Sequence, residues 1–298
     1  MALEELKRRI SQLQRGETPA RCLPTGVEGD PSSDLSGFFP EGAERATERG
    51  PVFVCQTSLS RIYARAPGLL ERYLQVFDTA RREDASGPFQ EALGPLAEVE
   101  PAATAFIDTE TAGFHGRPLF LIGLARFTGN DLTITQYFAR TYAEEAGILS
   151  LFARLLPEIR LLVSFNGKAF DWPFMRDRMV YHRLDCQADF AHLDLLHPSR
   201  RRWRAHLPNC RLQTLERYLC GRWRSGDIPG EDIPQRYHDY VRGRDARLIA
   251  PIFHHNRLDL IAMTELLLAL AHGRQPEGPP PDRATHVPGA STALPSAR

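Results

Sequence analysis

TAFIDT (104–109), LFLIGLARF (119–127) and LTITQYF (132–138) decide the fold, because each is an apolar or alternating run of strand length and the breaks between them carry glycine, at 113–116 and at Gly129-Asn130. Such spacing predicts three antiparallel strands in a meander. Toward the C-terminus, 144–156 has helical apolar spacing, LLVSF (161–165) reads as a buried strand, 170–181 as a helix and 189–196 as a further strand. A long helix is expected over 244–271, its second half mostly apolar. Consecutive strands followed by alternating helix and strand imply an α/β fold, a mixed sheet covered by helices.

Toward the N-terminus the pattern weakens. Residues 51–101 hold a possible strand (52–55) and helical stretches at 67–82 and 89–99, and form an N-terminal extension with no clear domain assignment. Residues 1–50 read as a short amphipathic helix (1–14) followed by a flexible linker rich in Gly, Pro, Ser and acids. Residues 272–298 contain six prolines and read as a disordered tail, leaving 102–271 as the main domain.

Of the 298 residues, 42% are apolar and 25% charged, ordinary usage for a globular protein and unlike a fibrous or wholly disordered chain. No window approaches eighteen consecutive apolar residues, and the N-terminus alternates charged and apolar positions, so a cytoplasmic location without membrane insertion is expected. Five cysteines without a C-x-x-C pair suggest neither a disulfide framework nor a thiolate zinc site. The formal charge is zero, yet residues 195–225 carry eight arginines against the single acid Glu216. Such a block is either an anion-binding surface or a solvated helix face.

Three elements carry chemistry. Asp108 and Glu110 end the first strand of the meander, and residues two apart on a strand share a face, so two carboxylates converge there. Held together, like charges are costly, and a divalent cation is the usual compensation. Next, SFNGKAFD (164–171) takes a buried strand through an Asn-Gly turn into a helix, with Asp171 in its opening turns. Lys168 is the only lysine besides Lys7 and sits in that turn, where it either approaches a phosphate or is simply solvated. Finally, HHNRLD (254–259) lies on the long helix, where a step of four returns to within 40° of its start. His255 therefore shares a face with Asp259 and His254 does not.

D-x-E, N-x-x-x-F-D and H-x-x-x-D in this order resemble the DEDD 3′–5′ exonucleases of the ribonuclease H-like superfamily. FIDTETAG, FLIGLARF, SFNGKAFDWPF, LDLLHPSRRRWR, LPNCRLQTLE, DIPGEDIPQRY and HHNRLD together resemble the YprB-type ribonuclease H-like domain family, over about 103–270. The resemblance implies a ribonuclease H-like fold for 102–271 and a metal-dependent nuclease, expected to work from a 3′ end. Asp108, Glu110, Asp171 and Asp259 would hold two Mg²⁺ or Mn²⁺ ions roughly 3.5–4 Å apart. His255 would be the general base. His254 satisfies the five-residue spacing of histidine-type DEDD enzymes, whereas the four-residue spacing of His255 resembles the tyrosine-bearing branch, so both remain candidates. Asp194 is a candidate outer-shell group. Single-stranded DNA or RNA ends are the expected partners, contacted by Asn166, Lys168, Arg200, Arg201, Arg202 and Arg204, with Trp203 stacking on bases. Two alternatives are a nucleic-acid-binding scaffold without turnover and a structure-selective endonuclease on the same fold.

Overall fold

The computed structural model describes residues 35–82, 90–113, 116–224 and 226–276; the expected helix at 1–14 and the tail beyond residue 276 lie outside these. Seven strands form one sheet: β1 (Gly42–Arg45), β2 (Val52–Ser58), β3 (Thr104–Thr111), β4 (Leu119–Thr128), β5 (Asp131–Phe138), β6 (Leu161–Ser164) and β7 (Ala191–Asp194). Their order is β1-β2-β5-β4-β3-β6-β7. The meander β3–β4–β5 is antiparallel as its glycine breaks predict, and β6 and β7 extend it in parallel from β3. Parallel neighbours need crossovers. Helices α5 (Glu145–Leu155) and α6 (Asp171–Tyr181) supply them, following four N-terminal helices, α1 (Leu35–Phe38), α2 (Leu59–Ile62), α3 (Ala66–Arg82) and α4 (Gln90–Ala97).

The segment read as linker is partly structured. From residue 35 onward it forms α1 and β1, with Leu35 and Phe39 fully or almost fully buried. Phe39 lies 4.3 Å, centroid to centroid, from Phe253. The polar sequence of β1 suits an edge strand whose side chains are mostly exposed and whose backbone pairs with β2. The expected strand at 189–196 shortens to β7, because a helix, α7 (Leu196–Trp203), begins at Leu196 and takes the arginines. Helices α8 (Leu212–Leu219) and α9 (Ile233–Gly243) follow, and the long helix, α10, spans Ala250–Ala271. Pro251 sits in its first turn, where a missing N–H costs nothing.

At 22 residues, α10 runs about 33 Å. Its second half is buried on nearly every side, as an all-apolar helix must be. Packing against β3, β4, α3 and α8 surrounds it. No helix among the described residues is long and apolar enough to cross a membrane.

Cross-strand register aligns Cys55, Gln136, Gly123 and Asp108 in one row over four strands. Ile134, on one side of this row, joins an apolar cluster with Leu260, while Phe138, on the other, joins a second cluster with Phe253. The polar part of α10 lies between. Gly123 lets it approach: a Cβ there would stand 2.1 Å from Asn256 Oδ1. Asn256 Nδ2 donates to Asp108 Oδ2 at 2.8 Å, and Gln136 Nε2 donates to Asn256 Oδ1 at 2.8 Å. Arg257 Nε donates to Gln136 Oε1 at 2.8 Å, and its Nη2 donates to Glu41 Oε1 at 2.7 Å. Gln136, Asn256 and Arg257 are thus linked in one hydrogen-bonded chain across this interior row, as burial demands.

Gly123→Ala is expected to lower the unfolding free energy by about 1–3 kcal/mol, the usual effect of overpacking, because neither β4 nor the fully bonded Asn256 has room to yield. Urea denaturation measures this, and an unchanged midpoint would contradict it.

Candidate active site

Asp108 and Glu110 come from the end of β3, just before a register irregularity at Glu110/Thr111 interrupts its pairing with β4. Asp171 is the first residue of α6, and Asp259 lies near the middle of α10. The loop before α6 is built for close approach. Asn166 adopts φ 67°, and a Cβ on Gly167 would stand 2.5 Å from Ser164 Oγ and 2.9 Å from Asp171 Oδ2. The buried Asp194 ties this loop to β7, its carboxylate accepting from the backbone N–H of Asn166 at 2.8 Å, Lys168 at 3.1 Å and Leu196 at 3.0 Å. Thr109 Oγ1 donates to Asp171 Oδ1. Farther along α6, Arg178 Nε donates to buried Glu145 at 2.7 Å, and the same carboxylate accepts from Leu119 N at 2.7 Å, so the helix bearing Asp171 is moored at both ends.

The structure brings the four expected acids into one electrostatic cluster. Burial, then repulsion from Asp259, Glu110 and Asp171, holds the Asp108 carboxyl well above its ordinary range, against the Asn256 hydrogen bond. Glu110 is pushed up to about 8 by burial, with His255 opposing and Asp259, Asp171 and Asp227 reinforcing. Asp171 rises to about 6, chiefly through burial, although Thr109 opposes the shift. Crowded hard oxygens with excess negative charge suit Mg²⁺ or Mn²⁺ as a donor set. Among the described residues, no three His, Cys, Asp or Glu side chains already converge as a finished metal-ligand set.

His255, not His254, joins these acids. It is 8% exposed, its Nε2 lies 3.6 Å from Asp259 Oδ2, and its Nδ1 shares a 2.7 Å hydrogen bond with Asp227 Oδ1. Burial alone would depress its proton affinity, but Asp227, Asp259 and Glu110 together raise its pKa to about 9. Burial also lowers that of His254, which is about 100° round the helix. Asp227 drops to about 2 despite burial, through His255 and Arg224.

Asp227 and Arg224 are site residues to which the motifs assigned no role. Arg224 Nη2 lies 2.5 Å from Asp259 Oδ1, its Nη1 donates to Asp227 Oδ2 at 2.9 Å, and its Nε donates to Glu216 Oε2 at 2.6 Å. Arg222, 1% exposed, pairs with the other oxygen of Glu216 at 2.7 Å. Two members of the arginine block are therefore interior ion-pair partners.

The expected nucleic-acid contacts divide. Trp203 has no exposed surface and donates from Nε1 to Arg274 O at 3.0 Å, so it cannot stack on a base. Arg202 donates to Gly273 O. Both lie against the end of α10, whose last residue is about 18 Å along the helix axis from Asp259, so this part of the block does not overhang the acids. Residues 273 and 274 are accordingly docked where a free tail was expected. Arg200, Arg201 and Arg204 are exposed, as is Lys168, while Asn166 is half-buried. Phe170, next to Asp171, is 65% exposed, a large aromatic surface beside the site to which the sequence motifs assigned no role.

A family model described as RNase H superfamily matches residues 105–271, more than half of the chain. The chain belongs to that superfamily. It is also similar to Uncharacterized protein YprB of Bacillus subtilis (strain 168), with 32% identity over 171 residues, covering 56% of this chain and 41% of that protein. The match thus spans well under half of that relative.

The raised pKa values give a definite sign. A group whose folded pKa is raised contributes stability below its unfolded value, and this is lost as pH rises through the folded value. Between pH 6.5 and 8, Glu110 and His255 act in the same direction, and His255 continues alone to about 9, so the melting temperature in EDTA is expected to fall most steeply between 6.5 and 8. Saturating Mn²⁺ is expected to oppose the fall, by about 2.7 kcal/mol at one hundred times its Kd. Differential scanning fluorimetry would read both, and a flat EDTA profile would contradict the clustered charges.

Proposed function

We propose that this RNase H superfamily chain is a metal-dependent nuclease that hydrolyses phosphodiester bonds, from the 3′ end of a strand. The observation that supports this most is the gathering of Asp108, Glu110, Asp171 and Asp259 from β3, α6 and α10 into one cluster of excess negative charge. These four residues would hold two Mg²⁺ or Mn²⁺ ions, which supply charge stabilisation for the attacking and leaving oxygens of an in-line displacement at phosphorus.

The remaining steps belong to the protein. Asn256 fixes the Asp108 carboxylate through Nδ2, and Thr109 fixes Asp171, so neither has to be ordered during the reaction. His255 is oriented through Nδ1 by Asp227, leaving Nε2 toward Asp259. At neutral pH its proton is held by the surrounding carboxylates. Neutralising Glu110 and Asp259 removes two of those attractions and frees Nε2 to accept a proton from an attacking water. Asn166, Lys168 and Phe170 flank the acids and take the strand end, Phe170 replacing Trp203 as the stacking surface. Arg200, Arg201 and Arg204 contact phosphates farther along the strand.

The pairing of Asp259 with Arg224 specifically favours a second reading, a nucleic-acid-binding scaffold in which a candidate ligand is permanently neutralised. Binding without hydrolysis would be its signature.

A time course on end-labelled single-stranded DNA and RNA with Mn²⁺ separates the readings. The nuclease reading expects products shortening from the 3′ end, activity abolished by EDTA, and a loss of orders of magnitude in Asp108→Asn. His255→Ala should slow turnover by about 10²–10⁴, as for a general base, and His254→Ala much less. Reversed ranking would reassign the base, and full binding with no cleavage under any of these conditions would establish the scaffold.

A further inference from the structure

Where the last turns of α10 meet α3 and the end of α8, a second charged surface forms away from the four acids. Arg65 just ahead of α3, Arg72 within it, and His272 and Arg274 beyond α10 line an open pocket of about 560 Å³, whose one lining carboxylate is Glu265. Arg65, Arg72 and His272 are exposed. Arg65 Nη1 donates to Cys220 O at 3.2 Å and Arg72 Nε donates to Gly68 O at 2.9 Å, so a single backbone bond tethers each guanidinium and its other nitrogens remain for a ligand. Among the described residues, neither is ion-paired with a carboxylate. Glu265 is 8% exposed and already engaged within the fold, by the hydroxyl of Tyr63 and by Arg222 Nε at 3.3 Å. The lining is therefore cationic, three guanidiniums against one carboxylate that has its own partners.

This pocket is no part of the acid cluster. Its α10 residues, Glu265 to Ala269, come 6 to 10 residues after Asp259, about 9–15 Å along the helix axis. It adjoins α7, where Arg202 donates to Gly273 O and Trp203 Nε1 to Arg274 O, and whose Arg200, Arg201 and Arg204 are exposed. Guanidinium forks match the oxygens of phosphate, and arginines on both sides of residue 274 suit a polymer of phosphates better than one isolated anion. At 3.4 Å per phosphate, about four or five phosphates span the interval from Asp259. We infer that the pocket binds a phosphate group, which, resting on the nuclease reading above, the substrate strand supplies at a point remote from the end being cleaved. The acids repel a polyanion until metal is bound, and this surface attracts it without metal.

Fluorescence anisotropy of a long labelled single strand on the Asp108→Asn chain in EDTA, at several salt concentrations, tests this without turnover. Adding Arg65→Ala and Arg72→Ala is expected to weaken binding at least tenfold and to flatten the slope of log affinity against log salt by about 1.4, two phosphate contacts at about 0.7 each. Arg65→Lys with Arg72→Lys, which keeps both charges, is expected to recover most of the slope, and melting curves of each variant are recorded alongside. A labelled mononucleotide is titrated in parallel. Its binding lost in the alanine variant while strand binding is unchanged would keep the phosphate site and overturn the strand as its source. Equal affinities and slopes with and without the alanine substitutions, for both probes, would overturn the site. Failure of the unsubstituted chain to cleave any strand with Mn²⁺ would instead overturn the nuclease reading, and would leave these affinities as they are.

Discussion

The side-chain amide of Asn256 joins α10 to the central sheet. It donates to Asp108 on β3, accepts from Gln136 on β5, and is set against Gly123 on the strand between them. Because both partners are fixed by sheet register, these bonds determine the height and rotation of α10 above the sheet. His255 and Asp259 follow, being one residue before and three after. An amide can donate and accept at once, which neither a carboxylate nor an aliphatic side chain of that size can do. Leaving a buried partner unsatisfied costs about 1–3 kcal/mol, so alternative registers of α10 are disfavoured without further contacts.

That rigidity has an electrostatic counterpart. Asp108, Glu110 and Asp171 are held where their charges repel, a state that weakens the fold and that a binding site for cations requires. Beside them, Asp227, Glu216, Arg222 and Arg224 form an ion-pair network in which opposite charges balance. One side of the site is thus left short of positive charge and the other is internally compensated, with Asp259 and His255 at the boundary. Tolerating the unbalanced side depends on the large apolar interior gathered around α10.

The central sheet was legible because strand and helix periods are local properties. β3, β4 and β5 are alternating or apolar runs separated by glycine-containing breaks, and the i, i+4 geometry of HHNRLD was enough to single out His255 as the histidine facing Asp259. The segment from Leu35 to Arg45 was not legible, since its order comes from backbone pairing with β2 and from Phe39 against Phe253, both tertiary. Arg222 and Arg224 were read as part of a surface block because arginine is seldom buried. Their partners Glu216, Asp227 and Asp259, and Glu265, which lies 3.3 Å from Arg222 Nε, are scattered in sequence, and only the fold assembles them. Trp203 carried a signal that its arginine neighbours obscured: it lies seven residues after Leu196, two helical turns, which places both on the buried face of α7. Phe170 carried the complementary one, an aromatic at a helix entrance rather than on an apolar face.

Diffraction from crystals soaked in Mn²⁺, with data collected at the manganese absorption edge, tests the central claim directly. The account predicts an anomalous peak within coordination distance of the carboxylates of Asp108, Glu110 and Asp171, absent from Asp108→Asn crystals treated identically. A peak elsewhere on the chain, or none at these acids at saturating Mn²⁺, would contradict it.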